Sequence, residues 1–145
     1  MPLHLEIITA DRVLFGGQVD VVVAPGAEGQ MAVLPHHAAV MTSLEPGELR
    51  YQNAGGETYV AISGGFMDVR GSHVVVLADS AERADEIDEA RAQEAIIRAQ
   101  ERLAERGEDA DVEQALQSLR RAQVRVAVTR RRRRQSPTAP GSAPL

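Results

Sequence analysis

HVVVLADSAERADEIDEARAQEAIIRAQERLA, residues 73–104, changes its period partway along. Val74-Val75-Val76-Leu77 is a short apolar run of strand length. From Asp85 onward the apolar residues Ala92, Ala95, Ile96, Ala99 and Leu103 recur at helical spacing. A strand-forming region therefore ends, and a helical one begins, near residue 84.

Upstream of the switch, the segments read as strands. Leu3-His4-Leu5-Glu6-Ile7 and Glu57-Thr58-Tyr59-Val60-Ala61-Ile62 alternate, and Val19 to Val23 is a largely β-branched run. Gly16-Gly17, Pro25-Gly26, Pro46-Gly47, Gly55-Gly56 and Gly71-Ser72 are the turn signals between them. Short strands at this spacing predict an all-β sandwich or flattened barrel. With two Phe and two Tyr in 145 residues, its core must rest on Val, Leu and Ile.

Downstream, Gly107-Glu108-Asp109 interrupts the helical pattern, which resumes from Asp111 to Val128 through Val112, Ala115, Leu116, Leu119, Ala122 and Val126. Asp111 with Gln114 resembles a capping box. So short a break predicts an antiparallel helical hairpin. Its seam is rich in alanine, which lets helices approach closely but buries only about one methyl group per residue, near 0.8 kcal/mol. Such a hairpin is marginal alone and needs a surface to dock on. The expected class is α+β: a β-sandwich over 1–84, a helical hairpin over 85–129, and a basic, disordered tail over 130–145.

Composition narrows the chemistry. Without cysteine there is no disulfide, thiolate metal site or thiol nucleophile. No run of 18 apolar residues occurs, and Met1-Pro2-Leu3-His4 lacks the basic and apolar regions of a signal peptide. The net charge of −5 is uneven. The first 84 residues carry ten acids and four arginines, and Arg130 to Arg134 is an uninterrupted basic run. Every Lys/Arg position is arginine, which reads as coding bias rather than mechanism.

Several motifs then occur in order. Ala61-Ile62-Ser63-Gly64-Gly65-Phe66-Met67-Asp68-Val69 places two glycines within a strand, where a bulge or bend excludes a Cβ. Glu28-Gly29-Gln30-Met31-Ala32-Val33-Leu34-Pro35-His36-His37 and Ser43-Leu44-Glu45-Pro46-Gly47-Glu48-Leu49 precede it; Ala81-Glu82-Arg83 and Ile87-Asp88-Glu89-Ala90-Arg91-Ala92 follow. Across residues 3–129 the chain resembles the bacterial-type epsilon subunit of F-type ATP synthases. It departs from that family at His36, usually glycine, at Ala39, often proline, and at Gln30, often acidic.

The resemblance implies a rotor subunit of the central stalk with no active site of its own. Its sandwich would bind the gamma subunit and meet the c ring, using a loop containing Glu28, Gln30, Met31 and His37. Its hairpin would fold onto the sandwich or extend toward the catalytic head, where contact with an acidic β-subunit loop blocks ATP hydrolysis. It would lie on the cytoplasmic face of the bacterial plasma membrane, with a thylakoid membrane as the alternative, held there only through the complex. No cofactor is required, but a regulatory ATP is implied at Glu82, Ile87, Asp88, Arg91, Ala92, Arg121 and Arg125, with Arg98 a further candidate. Arg121 and Arg125, four apart on a helix, project together toward such a ligand.

Other signals are weaker. His36 and His37 are adjacent, and neighbouring side chains of an extended chain diverge, so no metal site is expected. His4 and His73 are isolated. Ser63 lacks the G-x-S-x-G setting of a nucleophile. Asp88 and Arg91 also fit an ordinary surface ion pair. The arginine run suggests a rival function, a β-sandwich module binding nucleic acid. Against this stand the −10 charge of the remaining chain and the lack of aromatics beside the run for stacking. It also fits cations at a helix C-terminus. A third reading has the run contacting the acidic β-subunit loop, so that loss of 130–145 relieves inhibition.

Overall fold

The computed structural model describes residues 2–104 and 109–135, with side chains for 2–104 and 112–131. Eight strands, β1 (Leu3–Ile8), β2 (Val13–Val19), β3 (Val21–Gly26), β4 (Gly29–Val33), β5 (Val40–Asn53), β6 (Gly56–Arg70), β7 (His73–Ala78) and β8 (Ala81–Arg83), precede a 3-10 turn at Ala84–Glu86. Two helices follow, α1 (Glu89–Ala104) and α2 (Asp109–Gln135). The two-part order expected from the change of period is present.

The strands form one sheet in the order β2-β1-β7-β6-β5-β3-β4, with β8 beside β6. β1 runs parallel to β7, and the other neighbours are antiparallel. A single residue, Asp20, carries the chain from β2 at one end of this order to β3 near the other. That step is possible only because the sheet rolls over. The Asp20 N–H bonds the Gln52 carbonyl at 2.7 Å, and the Phe15 and Tyr51 rings stack at 4.3 Å, joining β2 to β5. The rolled sheet encloses alternate residues of each strand, among them Leu3, Leu5 and Ile7 of β1, all fully buried.

The valine run 19–23 is therefore two strands rather than one, since Asp20 turns the chain from the edge strand β2 into β3. Two turn signals also lie inside strands. Gly16-Gly17 pairs with Glu6 and Leu5 within β2. Pro46-Gly47 lies in β5, which keeps one register against β6 while its register against β3 shifts between Val23 and Gly26. The missing proline N–H falls at that irregularity, where no β3 carbonyl requires it. A Cβ on Gly47 would come within 2.9 Å of the Pro25 Cβ.

Gly64-Gly65 is a bend without a bulge, because the β5–β6 pairing runs through it unshifted. Gly64 has φ +115 and Gly65 φ +143, and a Cβ on Gly65 would fall 2.8 Å from the Ala78 Cα. β6 passes here from pairing with β7 to pairing with β8, with Asp79 and Ser80 bonded across the bend.

The α1 helix begins at Glu89 because Asp88 caps it: its carboxylate accepts the Arg91 N–H at 3.2 Å, and its carbonyl accepts the Ala92 N–H at 3.0 Å. α2 begins at Asp109, so Asp111 is a helical position rather than the cap. It also continues to Gln135 rather than stopping near Val128. Arginine is a good helix former, and cations suit a helix C-terminus, so the basic run propagates the helix. The disorder expected for 136–145 lies outside the described residues.

Candidate functional site

Tyr59-Val60-Ala61-Ile62 is buried at all four positions, whereas a strand facing water on one side alternates. Val60 and Ile62 enter the sandwich core. Tyr59 and Ala61 face outward into a second cluster with Ala84, Ile87 and Val128, flanked by Val124. The hairpin thus lies on the outer face of β6. Between the two helices, Ala92, Ala99, Ala115 and Ala122 are buried, while Leu116 and Ile97 remain exposed.

The segment joining the domains is clamped. Glu86 accepts both Arg12 guanidinium nitrogens, at 2.9 and 3.1 Å, and the Arg83 N–H at 3.1 Å. The Arg12 fork foremost, with the Arg83 N–H, holds the Glu86 carboxyl below the ordinary range near 4.5 despite partial burial. Arg12 also reaches the Ala81 carbonyl at 3.1 Å.

Where hairpin and sandwich meet, a cleft of about 330 Å³ opens between β6, β8 and the two helices. Its polar lining is Ser63, Ser80, Glu82, Ser118, Arg121 and Arg125. Ser80 donates to Ser63 at 2.8 Å. Arg125 is ion-paired with Glu82: its Nη2 donates to Oε2 at 3.1 Å, and its Nε lies 2.8 Å from Oε1 without the alignment of a hydrogen bond. One turn earlier Arg121 is exposed, and its guanidinium lies a long 3.4 Å from the Ser118 hydroxyl. Arg121 is thus only weakly engaged within the chain, whereas Arg125 is shared with Glu82.

Of the residues assigned to this site from sequence, Glu82, Arg121 and Arg125 converge on the cleft. The rest lie around it. Ile87 is buried in the second cluster, Asp88 caps α1, and Ala92 is sealed in the helix seam. Arg91 and Arg98 are exposed and flank Ala95, a lining residue, at helical spacing on α1. Ser63, Ser80 and Ser118 also line the cleft, although none of them was assigned to it from sequence. Ser80 is found from strand register, opposite Ser63, and Ser118 from its place three residues before Arg121.

The contact-loop residues occupy another part of the sheet. Glu28 is exposed at the β3–β4 turn, Gln30 and Met31 lie on the edge strand β4, and His37 lies in the turn after it. Leu34 and Met41 nearby are well exposed. His36 has φ +66, a left-handed conformation that favours glycine, which accounts for the family's glycine there. The His37 ring nitrogen Nδ1 lies 2.7 Å from the Ala38 carbonyl. Among the described residues, no group of three or more His, Asp or Glu is arranged to hold a metal, and no helix is long and apolar enough to cross a membrane.

Comparison with known proteins places both halves. Residues 2–84 match the family described as the ATP synthase Delta/Epsilon chain beta-sandwich domain, and residues 85–130 match the corresponding long alpha-helix domain. An ATP synthase epsilon chain of Dehalococcoides mccartyi is 58% identical over 102 residues, 70% of this chain and 73% of the relative. That of Herpetosiphon aurantiacus is 52% identical over 101 residues, 70% and 74% respectively. Among solved structures, a chain in the Euglena gracilis mitochondrial ATP synthase OSCP/F1/c-ring assembly superposes with a TM-score of 0.78 at 25% identity, covering 87% of this chain and 80% of that one. A chain from the Tetrahymena thermophila central stalk and c ring, at 12% identity and TM-score 0.55, agrees in fold.

Proposed function

The chain belongs to the ATP synthase epsilon-chain family, bacterial type, and from that premise we propose that it is a central-stalk subunit whose hairpin regulates ATP hydrolysis under the influence of bound ATP. Its partners on this reading are gamma, the c ring and the β subunits, and its attachment to the cytoplasmic face of the membrane is through them. The resemblance to a chain from an F1/c-ring assembly supports that placement.

The observation that carries the regulatory part is the arginine-lined cleft between hairpin and sandwich. A ligand there touches both bodies at once and binds only while they are together. By linkage it must stabilise the folded hairpin by as much as closure improves its binding. Among the described residues the cleft lining includes neither a glycine-rich phosphate loop nor a metal-ligand set, which supports a regulatory nucleotide over a substrate.

ATP titration of the full chain, followed by NMR of the cleft residues, tests this. Saturation is expected, with Arg121→Ala weakening binding about tenfold or more through loss of a charge-assisted contact. Absence of binding at millimolar ATP would remove the nucleotide from the account.

A further inference from the structure

The arginine run, read from sequence as a surface for the acidic β-subunit loop, begins where the apolar stripe of α2 ends. Val124 and Val128 face the sandwich, and Arg131 takes the next place on that face, one turn on. Its guanidinium carbon stands 5.5 Å from the centre of the Tyr59 ring, and its Nη2 lies 3.6 Å from Glu48 Oε1. Tyr59 is 3% exposed and Glu48 belongs to the neighbouring strand β5, so the cation is set on a prepared surface. Arg130 pairs with Glu89 at 3.2 Å, tying the late turns of α2 to the start of α1.

The two contacts of Arg131 exist only when the hairpin lies on the sandwich, whereas the Arg130–Glu89 pair is internal to the hairpin. An arginine lying on Tyr59 and Glu48 is not available to an acidic surface elsewhere. We propose that Arg131 is a latch that holds the hairpin on the sandwich, so the start of the arginine run opposes the extended state. The proposal rests on the reading that the hairpin moves, and it reverses the sign expected from sequence for loss of these residues. Cation–π contact and a partly shielded ion pair together shift such an equilibrium several-fold, enough to matter where two states are closely balanced.

The test uses the full chain with fluorophores on Ala54→Cys and Gln123→Cys, exposed positions on sandwich and α2 in a chain with no other cysteine. Arg131→Gln and Glu48→Gln should each lower the folded-to-open ratio about fivefold, and the double variant should do little more than either. Arg102→Gln, an exposed arginine of α1, controls for charge alone. In the assembled ATP synthase, Arg131→Gln should deepen inhibition of hydrolysis. An open population that ignores Arg131→Gln, or that follows Arg102→Gln equally, overturns the latch while leaving a moving hairpin intact. If no variant or salt concentration yields an open population, the latch and the moving hairpin fall together.

Discussion

The sandwich interior and the hairpin seam are both apolar, but they are built from different side chains. The sandwich buries Leu3, Leu5, Ile7, Leu49 and Met67 along with a set of valines, each contributing about 1.5–3 kcal/mol on full burial. The seam buries Ala92, Ala99, Ala115 and Ala122, each contributing about one methyl group. What the helices lack in buried area is partly replaced by ion pairs to the acidic sandwich: Arg125 with Glu82, Arg131 with Glu48, and the long, exposed Arg120–Glu45 pair at 3.9 Å. A body held by large aliphatic side chains is firmly assembled; one held by methyl groups and half-exposed charges is the weaker attachment.

The contrast is sharpened most by a pair of opposite substitutions. Leu5→Ala should cost about 3–5 kcal/mol and lower the urea midpoint of the whole domain, since the site is enclosed on all sides. Ala122→Leu should strain the helix contact by about 1–3 kcal/mol. It is expected to raise hydrogen exchange in α1 and α2 while leaving the β1 and β7 amides protected. If both bodies lost protection together, the two regions would be one cooperative unit and the comparison would fail.

His36→Gly should act in the other direction, stabilising the sandwich by about 1 kcal/mol through relief of a left-handed histidine, as read by thermal unfolding. The smallest effect belongs to Arg12→Ala at the clamp between the domains. Glu86 has its folded pKa depressed, foremost by Arg12, so their interaction stabilises the fold above about pH 4.5 and fades as pH falls through the folded value. Wild type and variant should therefore differ in stability near neutrality and converge in acid.

Much of this architecture was legible because it depends on period. The change from Val74-Val75-Val76-Leu77 to the alanine stripe of α1 marked the boundary between the bodies. What was not legible depended on partners distant in sequence. Asp20 divides a valine run only because the sheet rolls, and Pro46-Gly47 remains in a strand because β6 continues to pair with it when β3 does not. The site was half legible. Arg121 and Arg125 came from the family resemblance, with helical spacing adding only that they share a face, and the pairing of Glu82 with Arg125 requires β8 to lie under α2. The length of α2 was misread because five arginines resemble a solvated tail when Glu48, Tyr59 and Glu89 are not in view.

The placement of β1 has a consequence for the order in which the molecule is made. Its partners are β2, immediately following, and β7, about seventy residues later. During synthesis the first strand must wait, half paired, until residue 78 has left the ribosome. The helices emerge after that, onto a sheet that can already present Tyr59 and Ala61. The surface on which the helices dock is therefore laid down before the helices that cover it.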